Sequence, residues 1–127
     1  MKLSEVMKRC SFVRGKSKAI FNVRYCDVAK PADMAAINSY LGSIIEKMPK
    51  NSMLLLLDMR RLSLSGDTYT QLKEMFERYS RYFGFSAVVA DQDNKSNIQN
   101  LIKSLGYTKM QVYEEPELAR ESLLAAD

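Results

Sequence analysis

Five apolar residues in a row, Met53-Leu54-Leu55-Leu56-Leu57, constrain the fold of this chain more than any other feature. The run does not alternate between apolar and polar residues, and polar segments bound it on both sides. A short continuous apolar run of this kind is typical of a strand that is covered on both faces. The sequence therefore predicts a sheet with residues 53–57 near its centre and helices packed on it.

The first 29 residues predict two strands joined by a turn. Residues 6–13 are rich in strand-forming side chains, and Arg14-Gly15-Lys16-Ser17 has the composition of a turn. In the next segment Phe21, Val23 and Tyr25 alternate with polar residues, which indicates a strand with one solvated face. Because the connection is short, we expect these two strands to be antiparallel.

The rest of the chain predicts helices and strands in alternation. Apolar spacing of three and four residues predicts helices over residues 31–48, 68–83, 98–105 and 116–123, and short apolar runs predict strands over 86–90 and 110–113. Thr68 and Gln71 have the spacing of a capping box, and Gly84 and Gly106 are placed to end their helices. The order is β-β-α-β-α-β-α-β-α. It predicts a single α/β domain over residues 1–127, with a mixed, mostly parallel sheet of about five strands and four helices.

The composition argues against chemistry at a catalytic centre. The chain has no histidine, which is the commonest general base and the commonest metal ligand. No nucleophile with a neighbouring base and no glycine-rich phosphate loop is apparent. We therefore expect no enzymatic activity, no cofactor and no metal. A hard cation held by Asp58, Asp91 and Asp93 is a weaker alternative, as is redox sensing by Cys10 and Cys26.

Charge and hydropathy bear on the partners. Residues 1–30 contain eight basic and two acidic side chains, within a formal net charge of +4 for the whole chain. Basic side chains are common on the solvent-exposed face of an edge hairpin. The same excess of positive charge could also steer an acidic partner. It comes without a known nucleic-acid-binding motif, so we expect no nucleic-acid partner. No apolar run approaches the ~20 residues of a membrane span, and we expect a reduced cytoplasmic location without membrane contact.

Three stretches of the chain are informative together. The first is an apolar strand that ends in an aspartate, Leu54-Leu55-Leu56-Leu57-Asp58-Met59-Arg60, and the second is Ser86-Ala87-Val88-Val89-Ala90-Asp91. The third is Val112-Tyr113-Glu114-Glu115-Pro116-Glu117-Leu118-Ala119. In this order they resemble the central strand, the next core strand, and the closing strand and helix of the STAS family of sulfate transporters and anti-sigma-factor antagonists. The resemblance covers about residues 5–124 and implies a regulatory interaction module.

In anti-sigma-factor antagonists, the loop before the second helix contains a hydroxyl that is phosphorylated. Here that loop reads Leu64-Ser65-Gly66-Asp67-Thr68, and the resemblance makes Ser65 and Thr68 the candidate phosphoacceptors. Leu64 departs from the pattern, which has a hydroxyl or an acid there, and the loop is about three residues closer to Asp58. The resemblance implies another protein as partner, including a kinase-like anti-sigma factor. Ordinary turn and capping roles would also explain both hydroxyls.

The carboxyl ends of parallel strands are where open α/β sheets bind their ligands. We therefore expect Asp58, Arg60, Arg61 and Ser63 to bind the partner, with the loop at residues 91–94 nearby. Two alternatives remain. The aromatic stripe of the second predicted helix is either core or the lining of an apolar pocket for a small molecule or lipid; it comprises Tyr69, Phe76, Tyr79, Tyr82 and Phe83. The edge of the N-terminal hairpin could also form a homodimer.

Overall fold

The computed structural model describes residues 1–127 and contains one five-stranded sheet. The strands lie in the order of the sequence: β1 Cys10–Arg14, β2 Ala19–Arg24, β3 Leu54–Asp58, β4 Ser86–Val89 and β5 Met110–Tyr113. β1 is antiparallel to β2, and all the other neighbours are parallel. The predicted α/β fold with a mixed, mostly parallel sheet is confirmed, and β3 is its central strand.

The helices lie on both faces of the sheet. They are α1 Leu3–Lys8, α2 Pro31–Ile45, α3 Asp67–Tyr79, α4 Gln92–Ser104 and α5 Pro116–Ala126, and a single 3-10 turn at Ser80–Tyr82 follows α3. Each parallel connection moves one strand along in the same direction, so right-handed crossovers put α2, α3 and α4 on the same face. α5 lies on the opposite face, against β3, β4 and β5.

Two hydrophobic clusters separate along the pleat of β3. Leu55 and Leu57 belong to the cluster of 25 buried residues beneath α2, α3 and α4, whereas Leu54 and Leu56 belong to a smaller cluster beneath α5. All five residues of β3 are buried, as the unbroken apolar run predicts. Of the predicted aromatic stripe, Phe76, Tyr79 and Phe83 belong to the larger cluster, and Tyr69 and Tyr82 pack against it. Tyr82 and Phe83 lie beyond the end of α3.

The N-terminal segment differs from the prediction. Residues 3–8 form α1, where the sequence predicted a strand from residue 6, so the structure has five helices rather than four. Leu, Glu, Met and Lys are good helix formers, and Val6 is the only residue of α1 that is buried. Val6 packs into the larger cluster and the other residues of α1 stay at the surface, so local helix propensity and this one buried contact fit a helix here.

The predicted capping box at Thr68 is wrong. α3 begins at Asp67, and Gly66 precedes it with a φ of 50° that favours glycine. Thr68 therefore lies inside the first turn with its side chain buried. Gly106 has a φ of 74° and ends α4 as predicted, but the φ of Gly84 is not positive. A Cβ on Gly84 would lie 3.3 Å from the carbonyl oxygen of Met53, so the close approach of the Met53 backbone favours a glycine at this position.

Candidate functional site

Polar residues from three loops meet at the carboxyl edge of the parallel strands. Asp58, the last residue of β3, lies at the centre of this edge and is only 7% exposed. Arg60 donates to both of its oxygens, from Nε at 2.9 Å and from Nη2 at 2.7 Å, and its backbone N–H adds a bond of 3.2 Å. Such a two-pronged arginine–carboxylate pair has fixed geometry, so this part of the edge is rigid.

The arginine also decides the charge state of Asp58. Burial by itself raises the pKa of this carboxyl, but the hydrogen bonds and the positive charge of Arg60 outweigh it and leave the pKa below its ordinary value. Asp58 is therefore ionised at neutral pH. Its acceptor capacity is directed to Arg60, so Asp58 is better suited to position the loop than to act as an acid or base.

Arg61 points away from this pair and reaches the loop after β2. Its guanidinium donates to Asp27 through Nε at 2.9 Å, and the backbone N–H of Asp27 donates to the carbonyl of Arg61 at 3.0 Å. Both residues have left-handed backbone, with φ of 55° for Arg61 and 64° for Asp27. Such non-glycine residues are uncommon and cluster at functional positions.

Asp91, after β4, completes the edge. Its carboxylate accepts the backbone N–H of Arg61, and Asn94 donates through Nδ2 to the carbonyl of Leu62 at 2.5 Å. The predicted loop at residues 91–94 is in fact the beginning of α4, which starts at Gln92. The residues expected at this edge are thus brought together, and both Asp91 and Asn94 fix the backbone that carries Arg61.

Thr68 organises the loop between β3 and α3. Its hydroxyl oxygen accepts the backbone N–H of Ser65 at 3.0 Å, and its hydrogen is within reach of the carbonyls of Ser65 at 2.7 Å and Ser63 at 2.9 Å. Thr68 is 2% exposed. Of the two candidate phosphoacceptors it is the buried one, and its hydroxyl is engaged within the loop.

Ser65 has the opposite environment. It lies exposed at the tip of the loop, and its hydroxyl makes no hydrogen bond although its backbone N–H and carbonyl both bind Thr68. Ser63 is also exposed, and its backbone N–H is fixed to the carbonyl of Val28 at 3.0 Å. The loop therefore presents a free hydroxyl on a backbone that Thr68 constrains.

Asp27 is the residue of this edge that the sequence reasoning missed. It lies three residues after the end of β2 at Arg24, which pairs with Asp58 of the parallel strand β3. The rule for the carboxyl ends of parallel strands applies to it equally. β2 is antiparallel to β1 on one side and parallel to β3 on the other, so its carboxyl end also lies at this edge.

A groove of about 550 Å³ runs between α2 and α3. Ten residues line it, of which only three are hydrophobic, and Asn38, Glu46, Gln71 and Arg78 are among the polar ones. The side-chain oxygen of Gln71 is buried there without a hydrogen-bond partner. Polar side chains form most of the lining of this groove, so it offers several hydrogen-bonding groups.

No group of three or more Asp, Glu, Cys or His side chains is placed to hold a metal ion. Asp58 and Asp91 of the acidic trio are engaged with Arg60 and Arg61. The two cysteines are free and half-buried. Cys10 lies opposite Val23 in the hairpin rather than opposite Cys26, and burial raises the pKa of the Cys10 thiol to about 11.

The outer edge of the sheet is open along β1. Phe12 and Val13 are exposed on this strand, and Phe12 packs edge-on against the ring of Phe21 at 4.7 Å. The basic side chain of Arg14 ends the strand, and charged residues of this kind disfavour edge-to-edge pairing. The edge still leaves room for a second copy of the chain.

The fold and this edge define the chain as an α/β domain with a mixed five-stranded sheet and a rigid polar loop cluster after β3. Comparison of the sequence with protein-family models finds no match, and comparisons with curated proteins and with solved structures find none either. None of the helices combines the length and the apolar character needed to cross a membrane.

Proposed function

We propose that this domain is a non-enzymatic regulatory module that binds another protein through the edge formed by Asp58, Arg60, Arg61 and the loop at residues 63–68. The observation that carries the proposal is the pairing of Thr68 with Ser65. A buried hydroxyl holds the backbone of the loop, and an exposed hydroxyl is left free at its tip. A surface built in this way recognises or receives a modification more readily than it performs chemistry.

The charges around the loop support a switch at Ser65. A phosphate there would add about −1.5 to −2 charges close to the beginning of α3, where the helix dipole favours an anion. The guanidinium of Arg61 is exposed on the same edge, and it would exchange its salt bridge with Asp27 for one with the phosphate. This behaviour would parallel the anti-sigma-factor antagonists that the sequence resembles, with a kinase-like anti-sigma factor as the kind of partner and the cytoplasm as the setting.

The test compares capture of proteins from the native cytosol by the wild type, S65A and S65D. We expect S65D to change the recovery of at least one partner by roughly tenfold, the scale of a single charged hydrogen bond, while S65A behaves like the wild type. T108D is the matched control, because Thr108 is exposed before β5 at the opposite edge of the sheet. Recovery of the same proteins in equal amounts by S65D and T108D would refute the switch.

A small-molecule site is the second candidate, and the groove between α2 and α3 favours it. Asn38, Glu46 and Arg78 are among the polar side chains that line the groove, and such a lining suits a polar ligand better than a lipid. Ligand binding there would be unaffected by S65D, because Ser65 does not line the groove. Insensitivity to S65D therefore separates this function from the first.

A further inference from the structure

The turn between β1 and β2 surrounds a carboxylate that comes from the far end of the chain. Asp127, which follows α5, accepts the backbone N–H groups of Lys16 at 2.5 Å and Ser17 at 2.9 Å through Oδ2. Its Oδ1 accepts the hydroxyl of Ser17 at 2.6 Å and the N–H of Lys18 at 3.2 Å. Successive N–H groups that converge on one anion form a nest, a common binding site for carboxylates and phosphates.

The glycine of the turn makes room for the anion. A Cβ on Gly15 would lie 2.7 Å from the Oδ2 of Asp127 and 2.3 Å from the carbonyl oxygen of Lys18. Any side chain at this position would thus close the nest and distort the turn. The backbone N–H of Gly15 also donates to the carbonyl of Lys18 at 3.0 Å, which fixes the curvature of the turn.

Without the contact to the turn, the end of α5 would be an unfavourable place for the negative charge of Asp127. Asp127 follows the last turn of α5, where the partial negative charge of the helix dipole disfavours an acid. Even so, the hydrogen bonds from Ser17, Lys18 and Lys16 lower the pKa of Asp127 to about 2. The turn therefore stabilises an anion strongly enough to outweigh the helix end.

The charge around the turn exceeds what one carboxylate neutralises. Arg14, Lys16 and Lys18 flank it, and none of the three forms a salt bridge, not even with Asp127. A cavity of about 400 Å³ lies beside the turn and is lined by residues 12–19. Three free cations around a nest of N–H groups match a phosphate dianion better than a single carboxylate.

We propose that the turn at residues 15–18 is a phosphate-binding site, which Asp127 occupies as an internal ligand and which a phosphate group can take by displacing it. The ligand is inorganic phosphate or a small phosphate monoester. Its three unprotonated, non-ester oxygens would accept the N–H groups of residues 16–18 and the Ser17 hydroxyl, and Lys16 and Lys18 would neutralise its charge. Displacement would free the end of α5 from the hairpin. The sheet face that α5 covers could then become more accessible.

The test is a titration of the wild type and D127A with inorganic phosphate at constant ionic strength, followed by the backbone amide signals of residues 16–18 in NMR spectra. We expect saturable shifts in both proteins, with a midpoint at least roughly tenfold lower in D127A, because the internal ligand no longer competes. E121A is the matched control, since Glu121 is an exposed acid of the same helix. It should titrate like the wild type.

Further arms identify the ligand and the donors. A parallel titration with glycerol 3-phosphate shows whether the ester or the free ion binds more tightly, and S17A in the D127A background should weaken binding by removing one donor. If D127A does not fold, D127N keeps an acceptor oxygen but loses the charge, and it should bind phosphate more tightly than the wild type. Shifts that chloride reproduces at equal ionic strength, or no saturable shift in the folded aspartate variant, would overturn the proposal and leave the turn as a tether for α5.

Discussion

Replacing Thr68 by valine should lower the free energy of unfolding by about 1–3 kcal/mol, the usual cost of leaving a buried polar group without its partner. Valine has nearly the shape of threonine, so packing is kept while the hydroxyl is lost. The backbone N–H of Ser65 and the carbonyl of Ser63 then lose their bonds to this side chain. Chemical denaturation measures the stability, and amide hydrogen exchange at Ser65 reports the release of the loop.

T68S is the matched control for this variant. It keeps the hydroxyl and removes only a buried methyl group, so its loss of stability should stay near 0.8 kcal/mol, and the amide of Ser65 should remain protected from exchange. Equal losses in T68V and T68S, with the Ser65 amide protected in both, would contradict the role given to the Thr68 hydroxyl.

A second large effect is expected at Asn38, on α2. The hydroxyl of Tyr25 is buried with its ring and donates to the Oδ1 of Asn38 at 2.7 Å, while the Nδ2 of Asn38 donates to the carbonyl of Gln71 at 3.3 Å. This chain of bonds joins β2, α2 and α3. In N38L the leucine excludes water and leaves the tyrosine hydroxyl unpaired, which should lower the free energy of unfolding by about 2–3 kcal/mol.

The double variant Y25F/N38L tests the cause. Replacing both partners by apolar groups removes the unpaired hydroxyl, so the double variant should recover most of the stability that N38L loses. The quantity to compare is the coupling energy of the cycle, from denaturation of the wild type, the two single variants and the double variant. If Y25F and N38L lose stability additively, the bond between the two side chains is not what stabilises the contact.

The sequence predicts the centre of this fold well because burial there is unambiguous. Residues 54–57 are covered on both faces, and an apolar run of that length has few other places in an α/β domain. The prediction for the N-terminal segment is wrong for the opposite reason. Phe12 and Val13 are exposed on an edge strand and residues 3–8 bury only Val6, so the pattern of apolar residues there does not report on a core.

The candidate site is predictable only in part. Sheet topology brings Asp58, Arg60 and Arg61 to one edge, and the sequence shows that much. Whether Ser65 or Thr68 is buried depends on the exact residue at which α3 begins. Because α3 begins at Asp67, the side chain of Thr68 is buried and Ser65 remains exposed. Helix ends are the least certain part of a sequence-based assignment, and contacts such as that of Asp127 with Ser17, 110 residues apart, leave no local pattern.

The loop at residues 63–68 is proposed to contact a partner protein, and site-specific photocrosslinking in living cells tests that contact most directly. A photoreactive benzoylphenylalanine replaces Ser65 at the exposed tip in one variant and Thr108 at the opposite edge in another. After irradiation we expect a discrete protein adduct from position 65 that position 108 does not give. The same adducts from both positions, or no adduct from position 65, would contradict the proposed interaction surface.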